Sequence, residues 1–172
     1  MNEHDEYARI TAAESALTIV EENPQGVAAL ALLRQAAVEA RSLYPELFQA
    51  DSAWPENRPG GAGECYLIAY LAQQAVGCAA LRRLEQDIAE VRRVYVVEPL
   101  RRRGIARQLL LALEARALQL GYRRLRLETG YRQGAAMALY AGLDYQPIPA
   151  FGEYRDDPTS RCFEKALQPP SG

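Results

Sequence analysis

The chain has 172 residues, 49% of them apolar and 24% charged, which fits one globular domain large enough to enclose a core. A formal net charge of -2 gives no global field that would draw it to nucleic acid or to an anionic membrane, and no apolar run reaches membrane-span length. Cys65, Cys78 and Cys162 stand far apart with no Cys-x-x-Cys pair, which points to reduced thiols in a cytoplasmic setting and against a disulfide frame or zinc site.

In chain order, the opening MNEHDEYARI is acidic and polar, so it reads as no signal peptide. Residues 17–21 (LTIVE) read as a short strand. Asn23-Pro24 then reads as N-cap and first helical position of a helix over 25–43, with Val27, Leu30, Leu33, Ala37 and Ala40 on its apolar stripe. Tyr44-Pro45 ends it, a helical turn follows over 45–49, and the Pro- and Gly-rich segment 49–63 reads as a loop. Residues 65–71 and 75–81 form two strands of a hairpin joined by Ala72-Gln73-Gln74, although no Asn-Gly marks the turn. A third strand spans 88–97. A helix over 105–120 carries Ile105, Leu109, Ala112, Leu113, Ala117 and Leu120 on one face, with Gly121 as its C′ residue. Strand 124–128, helix 134–140 and strands 145–148 and 161–166 complete a domain over 1–167, with 168–172 as a flexible tail. The order predicts an α/β fold whose sheet is of mixed sense, antiparallel in front with one parallel crossover in the middle.

One absence narrows the chemistry. The only histidine is His4, near a terminus expected to fray, and there is no Gly-x-Ser-x-Gly elbow. A histidine-based triad and a histidine-ligated metal are therefore excluded, which leaves carboxylates, tyrosines, thiols and backbone groups.

The informative stretch is EVRRVYVVEPLRRRGIA, residues 90–106. A strand stops at Glu98-Pro99, a basic turn Arg101-Arg102-Arg103-Gly104 follows, and a helix begins directly after it. Free backbone N–H groups and a positive helix dipole then face an anion. Neither a Walker sequence nor Gly-x-Gly-x-x-Gly occurs, so nucleotide sites of those types are disfavoured. Small residues at Gly104 and Ala106 let phosphate approach the backbone.

Arg101-x-x-Gly104-x-Ala106 resembles the acyl-coenzyme A loop of the GNAT N-acetyltransferases, and Gln133-x-x-Ala136-x-x-Leu139-Tyr140 resembles the family's Asn-x-x-Ala-x-x-Leu-Tyr element. The likeness covers residues 63–167 by pattern, and residues 1–62 match only in element type. It implies a GNAT-like, mostly antiparallel sheet with helices on both faces and a central strand–loop–helix acyl-coenzyme A site. Acetyl-coenzyme A would be the cosubstrate, with no metal. The backbone of Val94 and Val96, with Tyr95 between them, would bond the pantetheine arm. Backbone N–H groups of Arg101, Arg102, Arg103, Gly104, Ile105, Ala106 and Arg107 would hold the pyrophosphate. Gln133 stands where the family most often has Asn, and Tyr140 where it has the tyrosine beside the coenzyme sulfur. Asp144 replaces the family's usual glycine before Tyr145, and aspartate can adopt the left-handed turn required there.

Acetyl transfer to an amine needs a base, a donor to the carbonyl oxygen and an acid for the leaving thiolate. The backbone N–H of Val96 or a neighbour can polarise the thioester carbonyl. Tyr140 is the candidate acid, against the alternative of a tyrosine that merely packs. Glu90 lies eleven residues ahead of Arg101, the spacing of family members that use a strand glutamate as base. In an otherwise apolar strand burial would ready it for a proton. The alternative is a surface carboxylate paired with Arg92 or Arg124. The three cysteines read as small core hydrophobes. Glu128 and Thr129 are candidate cleft-lining groups. Tyr44, Trp54, Phe151 and Tyr154 read as pocket or cover aromatics, and Arg123, Arg124 and Arg126 as a solvated face.

The reading is thus an N-acetyltransferase acting on a small-molecule or peptide amine, with no nucleic-acid or membrane partner. The alternative is a non-catalytic acyl-coenzyme A sensor or partner module. The acceptor and the oligomeric state, a homodimer included, are not encoded legibly.

Overall fold

The computed structural model describes Tyr7 and residues 16–169. His4, most of the acidic opening segment and residues 170–172 of the expected tail lie outside the described residues. The elements in order are β1 (Thr18–Glu21), α1 (Val27–Leu43), β2 (Cys65–Leu71), β3 (Gln74–Arg83), β4 (Ile88–Val96), α2 (Ile105–Gln119), β5 (Arg124–Gly130), α3 (Gly134–Gly142), β6 (Gln146–Ile148) and β7 (Ser160–Ala166). They build a seven-stranded sheet in the order β1-β2-β3-β4-β5-β7-β6. Every neighbouring pair is antiparallel except β4–β5, where α2 makes the crossover that a parallel pair requires.

α2 forms where its leucine stripe was expected. Leu109, Leu110, Leu113 and Ala117 are fully buried against the sheet, and each leucine removed from water contributes about 1.5–3 kcal/mol. Leu109 packs on Gly77 of β3, whereas Glu39 of α1 lies beside Tyr95, the register partner of Cys78. Adjacent residues of a strand face opposite ways, so α1 and α2 cover opposite faces.

α1 departs from expectation at its start. Asn23 Oδ1 accepts the Gln25 N–H at 2.9 Å and the Asn23 carbonyl accepts the Gly26 N–H at 3.0 Å, so Asn23-Pro24 closes a turn ahead of the helix. The helix is capped by Gly26 and begins at Val27. Its buried face is Ala29, Leu32, Leu33 and Ala37, while Val27 is 90% exposed. A helix with apolar residues on most sides does not declare its phase, and packing on the sheet selects the stripe.

The β2–β3 hairpin turns on Ala72 and Gln73, both at positive φ (48° and 66°). This is the φ pattern of a type I′ turn, set by strand twist without the usual Asn-Gly. Asp144 (φ 69°) and Gly121 (φ 93°) occupy left-handed conformations as expected.

β4 carries the feature that shapes the site. Ala80 pairs with Arg92 and Cys78 with Tyr95, so three steps on β4 oppose two on β3. Arg93 absorbs the extra residue at φ 60°, and the Cys78 thiol donates to its carbonyl at 3.0 Å. Such a bulge bends and twists a strand. Accordingly β4 pairs with β5 only as far as Val91–Leu127, after which β5 continues with β7 alone. The two parallel strands part as a wedge.

Gly77 lets β3 close on β4 and α2 together. A Cβ there would meet the Tyr95 carbonyl at 2.9 Å, Leu109 Cδ1 at 3.1 Å and Val96 Cγ2 at 3.3 Å. Gly77→Ala should therefore lower stability by about 1–3 kcal/mol, read as a lower urea midpoint at unchanged slope. A wild-type midpoint would show that this corner is loosely packed.

Candidate active site

The wedge exposes backbone. The Val97 N–H donates to the Val76 carbonyl at 2.9 Å, so Val97 and Tyr95 direct their polar groups toward β3. By strand alternation Val94 and Val96 direct theirs into the wedge. One of these is taken, because Arg101 Nε donates to the Val96 carbonyl at 2.9 Å.

At the wedge's mouth a turn over Glu98–Leu100 leads into the basic loop. Arg102 (φ 66°) and Gly104 (φ 80°) are both left-handed, which curls the loop and turns its N–H groups to one side. Gly104 caps α2, and its carbonyl accepts the Gln108 N–H at 3.0 Å. Among the described residues no protein acceptor takes the N–H groups of Arg102, Arg103, Gly104, Ile105, Ala106 or Arg107. Six successive free amides at a helix start form an anion cradle. The space a Gly104 Cβ would occupy is open.

Arg101 differs from its neighbours. Its guanidinium makes a bidentate pair with Glu39 at 2.6 and 2.7 Å and lies 5.5 Å from the Tyr95 ring centre. The expectation that its backbone N–H holds pyrophosphate is corrected, and its side chain ties α1 to the loop. Its own N–H donates to Glu98 O at 3.2 Å, so the cradle begins at Arg102.

Glu90 is buried to 1% exposure, which rules out a surface carboxylate. Its Oε1 accepts from Arg82 at 2.8 Å and lies 3.5 Å from Arg92, and its Oε2 accepts the Tyr154 hydroxyl at 2.6 Å. Arg124 is not a partner. It bonds Glu164 at 2.8 Å, as Arg126 does at 2.7 Å; Arg123 and Arg124 are exposed, as expected of a solvated face, whereas Arg126 is half-buried. Burial and the Glu90 carboxylate push the Tyr154 phenol above its ordinary range, so it remains a donor. Sequence reasoning placed Tyr154 only as a loop aromatic and did not single out Arg82. Their link to Glu90 needs a strand pairing and a loop return that no local pattern encodes.

Tyr140 packs its ring edge-on to Tyr145 at 5.8 Å and near Phe163 at 6.2 Å. Burial, with Glu128 nearby, pushes its phenol above the ordinary range, and its hydroxyl bonds no protein group among the described residues. Packing and availability of the proton thus coexist. Glu128 follows Arg126 on the same face, just past the point where β4 and β5 part. It accepts the Ser160 hydroxyl at 3.0 Å, and burial raises its pKa. Gln133 caps α3 with an exposed side chain. Burial pushes the Cys65 and Cys78 thiols up to about 12, which removes them as thiolate nucleophiles. Trp54 stays exposed, with the Arg34 and Arg41 guanidiniums each 3.7 Å from its ring, whereas Tyr44 is buried and accepts the Arg132 N–H at 2.9 Å, so it serves packing. Among the described residues no cluster of three His, Cys, Asp or Glu could hold a metal, and no helix is long and apolar enough to cross a membrane.

An amide cradle at the mouth of an opened parallel strand pair is the architecture of an acyltransferase. The family profile described as Acetyltransferase (GNAT) family matches residues 30–145, so the chain belongs to the GNAT family of acetyltransferases. The match reaches back into α1, further than the sequence motifs did. A relative from Azospirillum brasilense, named IAA acetyltransferase, is 32% identical over 157 residues, covering 88% of this chain and 98% of its own. A Klebsiella pneumoniae structure described as a candidate acyl-CoA N-acyltransferase is 35% identical with TM-score 0.73, covering 88% of this chain and 98% of its own. A GNAT acetyltransferase from Elizabethkingia anophelis, solved with acetyl-CoA bound, shares the fold at TM-score 0.64 and 16% identity, covering 88% and 98% of the two chains.

Glu128 gives the site a measurable pH signature. A carboxyl whose pKa is raised on folding favours the folded state only while protonated, so that stability is lost as pH rises through the folded-state value. Glu128→Gln should raise the melting temperature at neutral pH, with the gain vanishing below the ordinary carboxyl range. A gain of equal size at every pH would mean that charge burial is not its origin.

Proposed function

We propose that the protein moves an acetyl group from acetyl-coenzyme A to a primary amine of a small molecule or peptide by direct attack. The observation that carries this reading is the run of six acceptorless amides, Arg102 to Arg107, opening onto the unpaired edge of β4. Amides free to bond a pyrophosphate and a strand edge free to bond an amide-bearing arm fit the two polar parts of coenzyme A. The acyl thioester, when bound, supplies an activated carbonyl carbon.

The chain's own groups then divide the work. The cradle amides, with the arginines at 102, 103 and 107 around them, hold the diphosphate. Val94 and the Val96 N–H bond the arm and polarise the carbonyl oxygen. Gln133, at the start of α3, offers its side-chain amide to the same arm. Tyr140 keeps its proton at neutral pH and gives it to the departing sulfur. Glu90 is the base, and its burial requires a go-between. Tyr154 takes the amine proton on its phenolic oxygen as its own proton passes to Glu90 Oε2, so the phenol never stands as an anion.

The test is thiol release from acetyl-coenzyme A against a panel of amines. Tyr140→Phe should lower kcat about 100-fold while the affinity for acetyl-coenzyme A stays at the wild-type level. Equal losses in both would remove the acid role. Glu90→Gln and Tyr154→Phe should each erase the ascending limb of the pH–rate profile, and a wild-type profile in Tyr154→Phe would remove the relay. Tight binding of acetyl-coenzyme A with no thiol release for any amine would favour the sensor reading.

A further inference from the structure

A cavity of about 450 Å³ lies between residues 56–64 and the α1 side of the sheet, with Tyr66, Ala80, Arg82, Arg92 and Arg93 among its lining. Its charges are unevenly matched. Arg82 and Arg92 share Glu90 and Glu153, Glu64 pairs with Arg58 at 3.5 Å, and Glu21 pairs with Arg116 at 3.0 Å. Glu22 takes the Tyr70 hydroxyl and sits just past β1, three strand spacings or about 14 Å from β4. Glu56 is exposed at the rim, where solvent screens it.

Arg93 is the exception. It is half-buried, and it donates Nε to Asn57 Oδ1 at 3.1 Å and Nη2 to the Glu56 carbonyl at 3.1 Å. Both acceptors are neutral. Nη1 has no protein acceptor, and no carboxylate pairs with this guanidinium among the described residues. Burial and the adjacent Arg92 lower its pKa, the signature of a cation in want of a counter-charge. The chain holds it there at positive φ, at the bulge that opens the wedge. Arg93 thus enters the cavity while the polar backbone of the next residue, Val94, faces the wedge.

We propose that Arg93 anchors a carboxylate, so that the acceptor is a small amine that also carries a carboxylate, of the free amino-acid class. This rests on the acetyltransferase reading above. Arg82 and Arg92, which hold Glu90, line the same cavity as Arg93, so a small ligand seated on Arg93 lies beside the residues that hold the proposed base.

The experiment compares L-amino acids with their carboxamides as acceptors, at a pH where both amines are free bases, in wild-type protein and Arg93→Gln. Wild type should favour the acid by about 10- to 100-fold in kcat/KM, the worth of one charge-assisted hydrogen bond. Arg93→Gln should bring the ratio near one, because kcat/KM for the acid falls by about 10- to 100-fold more than kcat/KM for the carboxamide. Calorimetric titration of wild-type protein with N-acetylglycine against N-acetylglycinamide, which needs no variant, should show binding of the acid alone. Equal use of acid and amide by wild type, a ratio untouched by Arg93→Gln, or equal binding of the two acetylated probes overturns the proposal. Absence of turnover for every amine, together with binding of N-acetylglycine alone, would overturn the transferase reading and leave the carboxylate site standing.

Discussion

The whole site depends on one extra residue in β4. With Ala80 facing Arg92 and Cys78 facing Tyr95, β4 must bend, and Arg93 absorbs the bend in a left-handed conformation. A regular β4 could continue its ladder with β5 past Val91, and the backbone of Val94 and Val96 would then be consumed by sheet hydrogen bonds. The bulge instead leaves Val94 and the Val96 N–H facing open space, while the Val96 carbonyl accepts Arg101 Nε. Gly77 on one side and the Cys78 thiol on the other hold the distorted segment against β3. A non-glycine residue at positive φ costs free energy, and here the surrounding pairings over-determine it.

Charge is placed with comparable economy. A buried carboxylate at Glu90 would be costly alone, and two guanidiniums and a phenol meet it. These contacts occupy both carboxylate oxygens of Glu90, so Arg82, Arg92 and Tyr154 stand between it and solvent. Arg101 is spent on Glu39 and the Val96 carbonyl, which fastens α1 to the loop and sets the loop's curl before α2 begins. The remaining arginines of the turn, Arg102 and Arg103, are exposed and pair with no carboxylate among the described residues.

The two faces of the sheet therefore have different tasks. On one, α2 buries its leucines and brings its positive end to the mouth of the wedge. On the other, Arg82, Arg92 and Arg93 line a polar chamber below residues 56–64, with Glu90 bonded to the first two. Arg93 belongs to both, since its backbone makes the bend and its side chain enters the chamber.

Much of this was legible in the linear order of residues. The leucine period of α2, the strand before it and the glycine-bearing basic turn are local features governed by nearby residues, and they appear where the sequence puts them. The left-handed positions Gly121 and Asp144 were legible for the same reason. What the sequence could not decide was anything settled between segments far apart in the chain. The phase of α1 came from the sheet it packs on, since its own apolar residues point most ways. The partners of Glu90 came from β3, β4 and the 152–154 turn meeting in space. The diversion of Arg101 to Glu39, and the isolation of Arg93 from any carboxylate among the described residues, are likewise outcomes of packing. Local propensity places backbone, but a charge's partner is chosen by whatever tertiary structure brings within about 4 Å of it.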